Sequence, residues 1–126
     1  MKEHSVRPSI DMIRKRIFPA RDTLVMLDID IAWLYGVSLQ SFLQMAVKEA
    51  KLPDDFLLRL SADECPAHRA LQDSFLYAVT ERGILLIPAL FPHERYIDIN
   101  IALLRAVAAF RSRYRLKPVK AQGKLN

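Results

Sequence analysis

Gln40, Ser41, Gln44 and Lys48 recur at intervals of three and four residues, a spacing that a helix gathers onto one face. An amide side chain can pair bidentately with an adenine edge, a serine hydroxyl is permissive, and a lysine ammonium seeks phosphate or guanine. Lys51 adds a second cation just beyond them. The same pattern also describes an ordinary solvated helix face, so it needs support from the rest of the chain. Other chemistry is thinly supplied. Cys65 and His68 have the gap of half a zinc site, but a structural site needs four ligands and only His4 and His93 remain. The same two residues, three apart at a helix start, make a poor nucleophile pair. Asp54-Asp55 follows Pro53 at a strand entry, which reads as turn chemistry rather than acid–base catalysis. The glycines are Gly36, Gly83 and Gly123, too scattered for a phosphate-cradling loop. Trp33 and Tyr35 have rings that can stack on bases, yet their spacing beside Ile31 and Leu34 favours packing. No enzyme, cofactor, metal or small-molecule substrate is therefore expected.

The elements that would position the first four residues are legible. Between Leu27 and Lys51, Ile31, Leu34 and Tyr35 fall at helical spacing, with Asp28 suited to the positive helix start. Gly36 can end that helix in the left-handed region, and Ser38 can cap the next one. Leu39, Phe42, Leu43, Ala46 and Val47 then repeat as an apolar stripe, which predicts Leu43 and Val47 in the core and Gln40 and Gln44 outside. Helix, glycine turn and helix with a polar outer face is the pattern of a helix-turn-helix unit, whose second helix enters the DNA major groove.

Around this unit, Arg16–Met26 reads as a β-hairpin turning at 19–22, and Phe56–Leu60 and Ser74–Val79 as short strands. Ser61 and Glu64 form a capping box that predicts a helix to about Gln72, and Thr80-Glu81 opens another, limited by Pro88. The longest helix runs from about Ile97 to Leu116. Its apolar residues from Ile97 to Phe110 wrap more than one stripe, which predicts a central position or a homodimer contact.

The 126 residues, 52% hydrophobic and 26% charged, fit a single domain with one core. Residues 1–14 are expected to be flexible, 15–116 folded, and 117–126 a basic flexible tail. No run of about 18 apolar residues offers a membrane span. The start M-K-E-H-S-V-R-P lacks an apolar core, so no signal peptide is expected, and a lone cysteine fits a reducing cytoplasm. The net charge of +5 is uneven: six basic residues and no acid lie from Arg111 to Asn126, leaving 13 basic against 14 acidic residues before them. Arg14-Lys15-Arg16 is a second basic cluster. Such segments supply phosphate contacts or are simply solvated; both readings stay open.

Three stretches carry a resemblance. V-M-L-D-I-D-I-A-W-L-Y-G-V (Val25–Val37), L-P-D-D-F-L-L-R-L (Leu52–Leu60) and Y-A-V-T-E-R-G-I-L-L (Tyr77–Leu86) resemble, in order and spacing, the landmarks of the ORF-six-N domain, a relative of the KilA-N domain. I-N-I-A-L-L-R-A-V-A-A-F-R up to Arg111 resembles its closing helix, so the likeness runs from Ile17 to Arg113. It implies a phage or prophage protein that binds DNA. The chain departs from the family pattern near the second helix. A-V-K-E-A-K-L-P-D-D-F stands, one residue shorter, where V-K-R-N-x-x-R-F-P-x-D-F is usual, with Glu49 at the asparagine position. Gln40 and Ser41 occupy positions that are often basic, and Gln72-Asp73 replaces a basic pair.

The resulting expectation is a small α+β domain in which a hairpin and short strands pack with about five helices and contain a helix-turn-helix-like unit. Its expected partner is double-stranded DNA, met by Gln40, Ser41, Gln44, Lys48 and Lys51, with Arg111, Arg113 and Arg115 on the phosphates. The alternative is a protein–protein interaction module that keeps the fold.

Overall fold

The computed structural model describes residues 8–66 and 75–113. Ser9 accepts a hydrogen bond from the Met12 N–H and so caps α1 (Ile10–Arg14), which sends Ile13 into the core. The stretch 1–14, expected to be flexible, thus contains a helix from Ile10 onward; residues 1–7 lie outside the described residues, as do 114–126 with the expected tail. After α1 come β1 (Ile17–Ala20) and β2 (Thr23–Leu27), joined by Arg21 and Asp22 at φ 51° and 64°. Two residues with positive φ make a primed turn, whose twist matches that of the paired strands. β3 (Leu57–Ser61) and β4 (Phe75–Thr80) complete an antiparallel sheet in the order β1-β2-β4-β3. Pro19 sits on the edge strand, where its missing N–H breaks no ladder.

The fold is α+β, as expected. β2 is apolar without alternation because both its faces are covered. Leu24 and Met26 join the main core beneath α2 (Asp28–Tyr35) and α4 (Glu81–Leu90). Val25 and Leu27 join a smaller cluster with Phe18, Leu60, Cys65 and Ala78 on the other face. Arg21 closes that side. Its Nε donates to Glu64 Oε2 at 2.8 Å and a terminal nitrogen donates to Glu64 Oε1 at 3.0 Å. This clamp, together with the Ser61 N–H, holds the Glu64 carboxyl down at about 2. The Ser61–Glu64 capping box forms, but the expected helix stops after one 3₁₀ turn at Ala62–Glu64. Cys65 is extended (φ −100°, ψ 152°), as a residue preceding proline tends to be. The rest of the expected helix lies outside the described residues.

α5 (Ile97–Arg113) packs on α1 and α4. It buries Leu103, Ala106 and Val107 and leaves Ile97, Ile101 and Leu104 outside. Its start is tied to α2: the Tyr35 hydroxyl donates to Asn100 Oδ1, and Asn100 Nδ2 donates to the Phe91 carbonyl at 3.1 Å. The Tyr35 ring stacks on Phe91 at 4.1 Å, and burial pushes its phenol well above the usual range. Tyr35 is therefore core and Trp33 lies under the Arg16 guanidinium at 4.3 Å, which removes the base-stacking alternative for Tyr35.

Two predictions follow from this packing. A Cβ on Gly83 would stand 2.5 Å from Val79 Cγ1 and 2.9 Å from the Phe56 carbonyl oxygen. Gly83→Ala should therefore lower stability in urea unfolding by about 1–3 kcal/mol, although helix propensity alone favours alanine by about 1 kcal/mol. Asp28 is buried at the start of α2 and accepts the Ile29 N–H at 2.7 Å; burial, with Asp30 nearby, raises its carboxyl to about 6 from 3.8. A raised carboxyl costs the fold nothing while protonated in both states, below about pH 4. The cost grows through pH 4–6 and is complete above that. The stability advantage of Asp28→Asn over the unsubstituted protein should therefore widen across that window, by at most about 3 kcal/mol.

Candidate functional site

β2 passes into α2 without a loop, and Gly36 (φ 68°, ψ 28°) ends α2 as its sequence position suggests. Ser38 then caps α3 (Leu39–Leu43), its Oγ accepting the Ser41 N–H at 3.0 Å and donating to Ser41 Oγ at 2.9 Å. The helix continues as one π-helical turn over Gln44–Lys48, with the Glu49 N–H bonded to the Gln44 carbonyl five residues back at 2.9 Å. Ala50, at φ 53°, reverses the chain, and the N–H groups of Lys51 and Leu52 reach back to the Met45 and Ala46 carbonyls.

Phe42 and Ala46 are fully buried, Leu43 is half-buried against the main core and Val47 is 37% exposed. The expectation of Leu43 and Val47 as core residues is met in part by Leu43 and not by Val47: the buried stripe centres on Phe42 and Ala46, and their next neighbours stand about 100° further round the axis. Gln40 and Gln44 are outside, as expected.

Gln40, Gln44 and Lys48 are brought together. With Leu43, Val47 and Tyr77 they line one open cleft of about 320 Å³ between α3 and β4. The amides and the ammonium stand among apolar walls, and Tyr77 closes one side. Arg59, cross-strand from Tyr77, has its guanidinium 5.9 Å from that ring. Lys48 makes no ion pair among the described residues, whereas Lys51, beyond the chain reversal, lies 4.0 Å from Glu49. Ser41 is exposed beside the cleft, with its hydroxyl engaged by Ser38.

The C-terminal arginines lie elsewhere. Arg111 donates to Glu81 at the start of α4 at 2.7 Å. Arg113 stands near Asp11 of α1, whose carboxyl is lowered mainly by its hydrogen bond to Arg14 and slightly by Lys15 and Arg113. Arg115 lies outside the described residues. The Arg14-Lys15-Arg16 cluster is also engaged, Arg14 with Asp11 at 2.6 Å and Arg16 with Asp30 at 3.0 Å. Sequence reasoning missed Tyr77 as a site residue. Its signal was the strand alternation that puts Tyr77 on the same sheet face as Val79, which packs in the main core.

For the zinc reading, Cys65 Sγ donates towards the Ser61 carbonyl at 3.7 Å, His93 accepts the Arg95 N–H at 3.0 Å, and His68 lies outside the described residues. No helix among the described residues is long and apolar enough to cross a membrane.

No curated protein and no solved structure matches this chain. The sequence profile of the ORF6N domain does, over residues 15–89. That span starts just before β1 and ends within α4, so it takes in the whole sheet, α2 and the cleft-bearing α3. The chain belongs to the ORF6N domain family.

Proposed function

We propose that this chain is a DNA-binding protein of phage or prophage type, a transcriptional regulator or antirepressor-type protein, that applies the outer face of α3 to double-stranded DNA. The observation that carries the reading is the joint exposure of Gln40, Gln44 and Lys48 on one face, with Ser41 beside them, after a glycine turn. In this reading the amides read base edges and Lys48 holds phosphate or guanine. Lys51 contributes less, because Glu49 shares its field. Arg111 and Arg113, which sit with α1 and α4, meet phosphates away from the base-reading side chains. The reading assigns no catalytic step and no cofactor.

A protein-docking role draws on the apolar cleft walls Leu43, Val47 and Tyr77 and on the exposed carboxylate of Glu49. The two readings part in a fluorescence anisotropy titration with random duplex DNA at two salt concentrations. DNA binding through α3 predicts that Lys48→Ala weakens association with every sequence and lowers the salt slope by about one. Glu49→Asn should strengthen association, both by removing a repelled charge and by releasing Lys51. If neither the protein nor any variant binds better than roughly 10⁻⁴ M near physiological salt, the edge of non-specific association, the docking role stands instead.

In the same reading a second copy covers the outer stripe of α5. Ile97, Ile101 and Leu104 are 51%, 43% and 39% exposed and follow the four-three spacing that paired helices bury. The expected contact over Ile97–Phe110 narrows to these residues, because Leu103, Ala106 and Val107 already face the core. Sedimentation at a concentration on the order of tens of micromolar should show a dimer, and Ile101→Glu should yield a monomer with unchanged circular dichroism. A monomer before substitution removes the contact.

A further inference from the structure

We infer that the cleft between α3 and β4 is a receptor for one unpaired nucleobase, with Tyr77 as its stacking wall. The inference rests on the reading of α3 as the DNA-contacting face and adds a residue from another element to it. A helix that only reads paired bases needs a convex ridge, whereas here the face is indented. At about 320 Å³ the cleft is far larger than a thymine methyl group and falls at the lower end of small-ligand pockets. Its lining divides as a nucleotide does. Tyr77, Leu43 and Val47 supply flat and apolar surface, Gln40 and Gln44 supply donors and acceptors for a base edge, and Lys48 supplies a cation. Gln44 and Lys48 stand at the two ends of the π turn and line the same cleft, so a base held by the amide leaves its phosphate within reach of the ammonium. A hydrophobic protein side chain would fill the apolar walls but leave both amides and the cation without a counterpart. A base extruded from a duplex, or left over in a bulge, uses all of them.

The test measures the affinity of the full chain for three fluorescein-labelled duplexes of one sequence: fully paired, with a single bulged adenine, and with an abasic bulge. The bulged adenine should bind at least tenfold tighter than either control, the scale of one base–aromatic stack. Replacing that adenine with 2-aminopurine should show fluorescence quenching on binding. Tyr77→Phe should keep the preference and Tyr77→Leu should lose it. Val47→Phe tests the same point without touching the core, since it fills the cleft from an exposed position; it too should lose the preference. Equal affinity for all three duplexes, with Lys48 still required, overturns the base receptor while leaving duplex binding through α3 intact. Absence of binding to any duplex overturns both. Amide NMR shifts at Gln44 and Lys48 produced by N-acetyltryptophanamide, and not by adenosine monophosphate, overturn it in favour of a docked protein side chain.

Discussion

Asp30 is 2% exposed on a helix that has almost no wet side, and Arg16 reaches it from the start of β1 at 3.0 Å while lying over the Trp33 ring. Six of the eight residues of α2 are buried, two of them aspartates in its first turn. Those acids suit the positive end of the helix, but a carboxylate taken out of water needs a partner. Arg16 supplies one for Asp30, and in doing so ties α1 and β1 to α2. Removing Arg16 would take the facing charge from a buried carboxylate; the cost of about 3–5 kcal/mol for breaking a fully buried pair is an upper bound here, because the Arg16 side chain keeps contact with water. α2 in turn sets the position of α3 through Gly36, of α5 through Tyr35 and Asn100, and of the sheet through the loop-free passage from β2.

Much of this order was readable from residue types alone because it rests on local chemistry. Gly36, Ser38, Thr80 and the Ser61–Glu64 box each do what their side chains favour, and each marks an element boundary where the structure has one. The misreadings arise where a non-local or quieter local rule prevailed. Pro66 holds Cys65 extended and halts a helix that its capping box had opened. α1 is five residues long and places only Ile13 in the core, too little periodicity to detect, although Ser9 marks its start. For the basic cluster at Arg14-Lys15-Arg16 the sequence leaves phosphate contact and plain solvation open, and Asp11 and Asp30, unremarkable in the sequence, engage two of its three charges.

The candidate site was half legible. The spacing of Gln40, Gln44 and Lys48 depends only on one helix, so the sequence contained it. The indentation depends on β4 lying beside that helix, a fact of topology that no local pattern carries, although strand alternation gives the face that Tyr77 takes. The surroundings of Arg111 depend on topology in the same way: its place on the last helix is readable from the sequence, but only the packing of α5 on α4 sets it against Glu81.

The π-helical turn over Gln44–Lys48 gives the site a place to absorb a change in length. Its bonds span five residues where an α-helix spans four, so it advances by less than the α-helical step of about 100° per residue. One residue removed there, with the turn relaxing to ordinary four-residue bonding, would leave the chain beyond it close to its present bearing, and Phe42 and Ser38 would stay where they are. A one-residue slip in β4 has no such buffer, because it turns every side chain of the strand, Tyr77 included, to the opposite face. Of the two walls of the cleft, the helix can therefore change length and keep its aim, while the strand cannot.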